Sequence, residues 1–288
     1  MSLVPFVAPA DPTAPASPAA TPAKGVSFLP IRDLLEGDTP PVEWLIPGFL
    51  SRGSLIAFAG EPGTGKSVFS YSLALALTTG TPFLGFEATA PKKVLYFDQE
   101  NSYADCVQYL RWAWHGAACP DPRLIEHHLA FAQFQLGGND WPLKMAEAVE
   151  LVQPDLIVVD TATPSFNVQD ENDNGEAGRI INTLRRIMAL STPTAACFVL
   201  KHAKIRPEDG KYTLRGAKAW EGQVDGILFQ TKKAGRRRKD GLNNTTLTPA
   251  KVRAFGLREP LHVNPTWTRD RVGLRLERVP EKEPDSHD

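Results

Sequence analysis

Residues 60–67 read Gly-Glu-Pro-Gly-Thr-Gly-Lys-Ser, and the spacing G-x-x-x-x-G-K-[ST] is a phosphate-binding pattern. The residue types explain the chemistry. Glycines let the backbone of Gly60, Glu61, Pro62, Gly63, Thr64 and Gly65 curl so that successive N–H groups face an anion. A helix starting directly afterwards adds the positive end of its dipole. Lys66 would reach the β and γ phosphates and the Ser67 hydroxyl would ligate Mg²⁺, so ATP and Mg²⁺ are the expected ligands. Asp160 closes the apolar run 156–159, and a carboxylate at the C-terminal edge of a buried parallel strand suits holding Mg²⁺ through water. Hydrolysis also needs a group that orients or deprotonates water. Thr161 follows Asp160, so no acid is adjacent there, and the earlier run 93–100 offers Asp98 and Glu100 instead. Glu100 is favoured, because it would emerge level with the γ phosphate if that strand lies beside the one preceding Gly60. Asp98, still on the strand, is its rival.

These side chains need a scaffold, and the chain supplies one by alternating short apolar runs with amphipathic helices, the pattern of a sheet covered on both faces. Strands are expected at 54–59, 93–98, 155–160, 195–200 and 226–230, with a shorter one at 128–134. Helices are expected at 67–79, 103–114, 141–151 and 177–190, the last with Ile180, Ile181, Leu184, Ile187 and Met188 on its apolar face. Beyond residue 231 the runs become more polar, at 247–253 and 272–279. They read as a small antiparallel extension of the same sheet, since roughly 50 residues would be marginal as a domain alone. The prediction is therefore an α/β fold with a mostly parallel central sheet and one domain over 26–279. A Pro/Ala-rich tail (1–25), read as disordered, precedes it, and a charged tail (280–288) follows. A short helix is expected at 28–35.

Composition narrows the class. Net charge is −1, which excludes a uniformly basic coat protein and an acidic disordered chain, though not local patches. Residues 1–23 lack the basic start and unbroken apolar stretch of a secretory signal. No apolar run of 18 residues occurs, so no membrane span is expected. Cys106, Cys119 and Cys197 form no C-x-x-C pair, which argues against zinc ribbons and thioredoxin-like chemistry. The odd count suits a reducing cytoplasm, with all three read as buried structural thiols.

The constellation resembles the RecA-like P-loop ATPase superfamily, and more narrowly its branch of RepA-type hexameric replicative helicases from plasmids and phages. The segments carrying the resemblance are 44–48 (Trp-Leu-Ile-Pro-Gly), the loop 60–67, 73–80, 82–86 and 94–100, and it extends over about 28–279. It implies a ring-shaped homo-oligomer, a hexamer, with ATP sites between subunits and single-stranded DNA as the track. It assigns Glu100 as the catalytic glutamate and His202 as the sensor of the γ phosphate. It also implies basic residues that reach the neighbouring subunit's site: Arg215 in the Arg-Gly segment after the sensor, or Lys251 and Arg253 in a Lys-x-Arg pair.

Two loops are expected after the ligand-edge strands. Residues 161–176 are acidic (Asp170, Glu171, Asp173, Glu176), whereas 201–215 carry Lys201, Lys204, Arg206, Lys211 and Arg215, so the second is expected to touch a DNA backbone. The block 232–239 is also basic, either following a phosphate backbone or forming a solvated hairpin tip; no aromatic alternates with it. The leading expectation is an ATP-dependent helicase. The alternatives are a recombination or repair ATPase that does not unwind, and a regulatory ATP-binding switch that engages only protein partners.

Overall fold

The computed structural model describes residues 30–38, 41–88, 90–132, 138–205, 211–233, 238–240, 242–253 and 256–279. The expected tails at 1–25 and 280–288, and Arg206 of the second segment, lie outside the described residues. The chain divides into two units, 1–41 and 42–288. In the first, α1 (Ile31–Glu36) falls within the helix expected at 28–35 apart from its last residue; residues 28 and 29 are outside the described set.

The second unit begins with two short strands, β1 (Trp44–Ile46) and β2 (Leu50–Ser51), paired antiparallel. Then come β3 (Leu55–Gly60), α2 (Lys66–Thr79), β4 (Val94–Asp98), α3 (Tyr103–Gly116), α4 (Pro122–His128), β5 (Leu129–Ala132), α5 (Trp141–Val152) and β6 (Leu156–Asp160). The chain continues through α6 (Ala162–Ser165), α7 (Asn174–Met188), β7 (Ala196–Ile205), β8 (Tyr212–Leu214), α8 (Ala219–Gln223) and β9 (Gly226–Lys232). It closes with β10 (Thr245–Val252), β11 (Leu261–Trp267) and β12 (Leu274–Arg278).

One ten-stranded sheet organises this unit, in the order β12-β11-β10-β9-β3-β7-β6-β4-β5, with β8 attached to β7. From β9 to β5 every neighbouring pair is parallel, and β10, β11 and β12 join antiparallel. The extension therefore continues the main sheet, as expected. Strand alternation sends side chains to two cores. On the α2 face, Phe58 lies between Phe69 and Phe198, with ring centroids 4.7 and 5.0 Å away. On the other face Ala57, Ile157, Val159 and Cys197 meet Met145 and Val149 of α5 and Ile181 and Leu184 of α7. Helix α7 caps its start with Asp173, whose carboxylate accepts from Gly175 N.

Several expectations are corrected. Strand β4 does not lie beside β3: β7 and β6 stand between them. Sequence order does not set spatial order here, because the long α2 crossover lets β4 pair beyond the positions that β6 and β7 fill. The basic segment 201–215 is not a loop throughout, since β7 runs on to Ile205 and pairs antiparallel with β8. Apolar Ala203 is the inward residue of that overhang, and the polar residues beside it disguise the strand. The acidic segment 161–176 contains α6 and the start of α7. Sequence reading also missed α4, whose Pro122 follows the capping Asp121, and β11, where Pro265 interrupts the apolar alternation. Trp112 and Trp114 are engaged in packing: Trp112 meets Trp267 edge-on at 5.3 Å, and Trp114 donates to Pro120 O at 2.9 Å. Cys106 and Cys197 are buried, but Cys119 is exposed, 3.3 Å from His115 Nδ1, because the chain turns outward with positive φ at Ala118 and Cys119.

Candidate active site

The phosphate loop sits where β3 ends and α2 begins. Gly63 and Gly65 have φ of 70° and 92°, a left-handed backbone that residues with a Cβ avoid. Gly60 is required for space: a Cβ there would stand 2.5 Å from Gln230 O and 2.8 Å from Thr64 Oγ1. Thr64 Oγ1 donates to Glu61 O at 2.9 Å and holds the curl. Pro62 and Gly63 form its exposed crest. Lys66 is buried, with Nζ donating to Gly60 O (3.1 Å) and Glu61 O (3.3 Å). Burial lowers its pKa, opposed by Glu100 and then Asp160.

Register carries the remaining groups to the same sheet edge. Gly60 is level with His202 across β3 and β7, and Asp160 is level with Asp98 across β6 and β4. Asp160 is 1% exposed, and its Oδ1 has no hydrogen-bond partner among the described residues. Its carboxyl is pushed up to about 7 by burial and then by Asp98, while a hydrogen bond from Ser67 works the other way. A buried carboxylate with a vacant oxygen, next to the Ser67 hydroxyl, fits a hard divalent cation such as Mg²⁺.

The two candidate bases have different surroundings. Asp98 is buried and accepts from Tyr71 OH (3.0 Å), Asn101 N (2.9 Å), Glu100 N (3.2 Å) and Asn101 Nδ2 (2.8 Å). Glu100 lies just past the strand with a side chain 43% exposed, its Oε1 3.9 Å from His202 Nε2. Although β4 is not adjacent to β3, Glu100 lies beside His202, which is level with Gly60, so it reaches the phosphate-loop end of the sheet across the intervening strands. His202 is partly buried; burial and then Lys66 lower its pKa, which favours neutral imidazole at pH 7.

The basic residues expected to act between subunits do not gather at their own chain's loop. Arg215 pairs through Nε with Glu171 Oε2 at 3.1 Å, and its N–H donates to His202 O at 2.9 Å. Glu171 also accepts from Thr163 Oγ1 at 2.9 Å, so an acid of the first segment ties it to the second. Lys251 Nζ caps α8 by donating to Glu221 O (2.9 Å) and Gly222 O (2.8 Å), and Arg253 is exposed in the turn after β10. Of the block 232–239, Arg236 and Arg237 lie outside the described residues. Arg238 is tied to Asn244, Asn264, Pro265 O and Asp240.

Three contributors escaped sequence reading. Asn101 bridges Asp98 and Asp160, at 2.8 and 3.4 Å. Lys232 reaches the crest, with Nζ donating to Pro62 O at 3.4 Å. Gln230 backs the loop from β9. Only Asn101 had a sequence cue, its place one residue after Glu100. The other two depend on β9 pairing with β3.

Comparisons with known proteins agree with this geometry. A family model described as AAA domain matches residues 19–205, well over half of the chain. No curated protein matches the sequence. Among solved structures, a KaiC-like protein from the hyperthermophilic archaeon Pyrococcus horikoshii OT3 superposes with a TM-score of 0.52 at 13% identity, covering 82% of this chain and 99% of that one. At that identity the likeness concerns the fold, which is RecA-like. Among the described residues, no helix is long and apolar enough to cross a membrane. With the phosphate loop and the acids facing it, the family match carries the conclusion that this chain, RecA-like in fold, belongs to the AAA domain family.

Proposed function

We propose that the protein is an ATP-hydrolysing motor that assembles as a ring, a hexamer, and moves along single-stranded DNA. The observation that carries the reading is the convergence of Lys66, Ser67, Asp160, Glu100 and His202 on one sheet edge, from segments far apart in sequence. Lys66 exchanges its two loop carbonyls for triphosphate oxygens. Ser67 and Asp160 would hold Mg²⁺, which would supply neutralisation of charge on the phosphates. Glu100, exposed and not saturated by donors as Asp98 is, takes the proton from the attacking water. Neutral His202 contacts the γ phosphate.

The DNA part of the proposal is supported by the β7–β8 hairpin. It presents Lys204 and Arg215, and the Arg215 N–H bond to His202 O joins it directly to the sensor. Lys251 and Arg253, removed from their own loop, suit a role toward a neighbouring subunit. For Arg215 such a role requires release from Glu171. An arginine is preferred as the finger because its fork neutralises charge on the transferred phosphoryl group.

Glu100→Gln tests the assigned base. Turnover should fall at least about a hundredfold, the scale of a general base, while ATP affinity by calorimetry stays within about twofold. Unchanged turnover would reject Glu100.

A further inference from the structure

Glu171 lies in the acidic segment after Asp160 and holds the basic hairpin through both its backbone and its side chain. Its carbonyl accepts from Ala217 N at 2.6 Å, and Gly216, at φ 95°, leaves no room for a Cβ against that carbonyl. The two segments are therefore docked backbone to backbone, which fixes where the Glu171 side chain starts. From there the carboxylate divides its oxygens. Oε1 accepts from Thr163 Oγ1 of α6 at 2.9 Å, and Oε2 meets Arg215 Nε at 3.1 Å. A second cation feels the same charge: burial lowers the Lys201 pKa, and Glu171 opposes that.

The bridge connects the two arms of the candidate site. Thr163 stands three residues after Asp160, and the Arg215 N–H donates to His202 O at 2.9 Å. The carboxylate thus joins the arm leaving the acid assigned to the metal to the arm leaving the assigned γ-phosphate sensor. It also occupies, with a fixed anion, a guanidinium whose fork suits phosphate oxygens. The Arg215 side chain is 60% exposed and that of Glu171 33%, so a dissolved anion can reach the pair. An ion pair this open to water is weak enough to exchange partners.

We infer that Glu171 is an autoinhibitory clamp: its carboxylate occupies Arg215 in the resting chain and is displaced by an incoming phosphate oxyanion. That oxyanion comes from the DNA backbone or from a triphosphate held by a neighbouring subunit, and its chemistry is the same in both. Displacement breaks the Arg215 contact and frees the carboxylate to leave Thr163, so occupancy of the hairpin is felt on both arms of the site. The inference rests on the motor reading above and adds a resting brake to it.

The test uses the full chain with Glu171→Gln, which keeps the side chain's length and an oxygen for Thr163 but removes the charge. Asp170→Asn is the charge-matched control, since among the described residues the Asp170 carboxylate accepts only from Asn172 N. Two quantities are measured at low salt: affinity for a fluorescent oligo-dT without nucleotide, and ATP hydrolysis without DNA. Glu171→Gln should raise at least one of them about two- to fivefold over Asp170→Asn, the scale of an exposed ion pair. Thr163→Val, with every charge kept, should move the same quantity in the same direction. A gain in oligo-dT affinity assigns the oxyanion to the DNA, and a gain in hydrolysis alone assigns it to the neighbour's nucleotide. Either gain should vanish on an Arg215→Gln background, where nothing is left to release. Equal values for Glu171→Gln and Asp170→Asn, or a gain that persists without Arg215, would overturn the clamp and leave the motor reading intact. If wild type and variants neither bind oligo-dT nor hydrolyse ATP, the motor reading fails and the clamp with it.

Discussion

Asp98 and Glu100 lie two residues apart, yet their surroundings give them different tasks. The Asp98 carboxylate accepts from Tyr71 OH, two backbone N–H groups and the Asn101 amide. That saturation fixes the turn that aims Glu100 and holds Asn101 against Asp160. Asp98→Asn would place an NH₂ against donors, so the expected result is a loss of about 1–3 kcal/mol in unfolding free energy by urea denaturation. Glu100→Gln should be nearly neutral in the same assay. Equal stability for the two variants would mean that Asp98 is not the brace. Which acid was exposed and which was saturated could not be read from the run 93–100, because it depends on Tyr71, from a different element. Gln230 and Lys232 were illegible for a similar reason: their proximity to the loop exists only through the pairing of β9 with β3.

At the scale of elements, the loop's shape depends on how closely β9 approaches β3. Gly60→Ala should push on the Gln230 carbonyl, a backbone atom that cannot swing aside. A drop in thermal midpoint together with weaker triphosphate binding is expected. Gly222, inside α8 with no atom within 4 Å of an added Cβ, is the control. Gly222→Ala should stabilise by up to about 1 kcal/mol, since alanine favours helix over glycine. A Gly60→Ala variant as stable and as tight-binding as wild type would contradict the packing account. The apolar runs made β3, β4, β6, β7 and β9 legible, because strands buried on both faces are continuous in sequence. Their order was not legible, since the same runs fit several arrangements and only pairing selects one. The overhang of β7 and the whole of β11 were lost because one is mostly polar and the other contains a proline.

For the whole molecule, the near-zero net charge conceals a division. The acidic segment after Asp160 largely satisfies its own structure: Glu176 accepts from Gln169 N and Asp170 N, and Glu171 holds Arg215. Cations on the β7–β8 hairpin stay at the ligand edge. Lys201, partly buried beneath them with its ammonium 4.4 Å over the Trp220 ring and its pKa lowered by burial to about 8, anchors that hairpin. Hydrolysis coupled to a charged track predicts that occupancy of the track changes turnover. The most direct measurement is the steady-state ATP hydrolysis rate of the assembled protein with and without saturating poly-dT. The account predicts a rate raised several-fold by the DNA, more weakly as salt increases. A rate unchanged by poly-dT at low salt would contradict the motor and favour an ATP-binding switch that acts through protein partners.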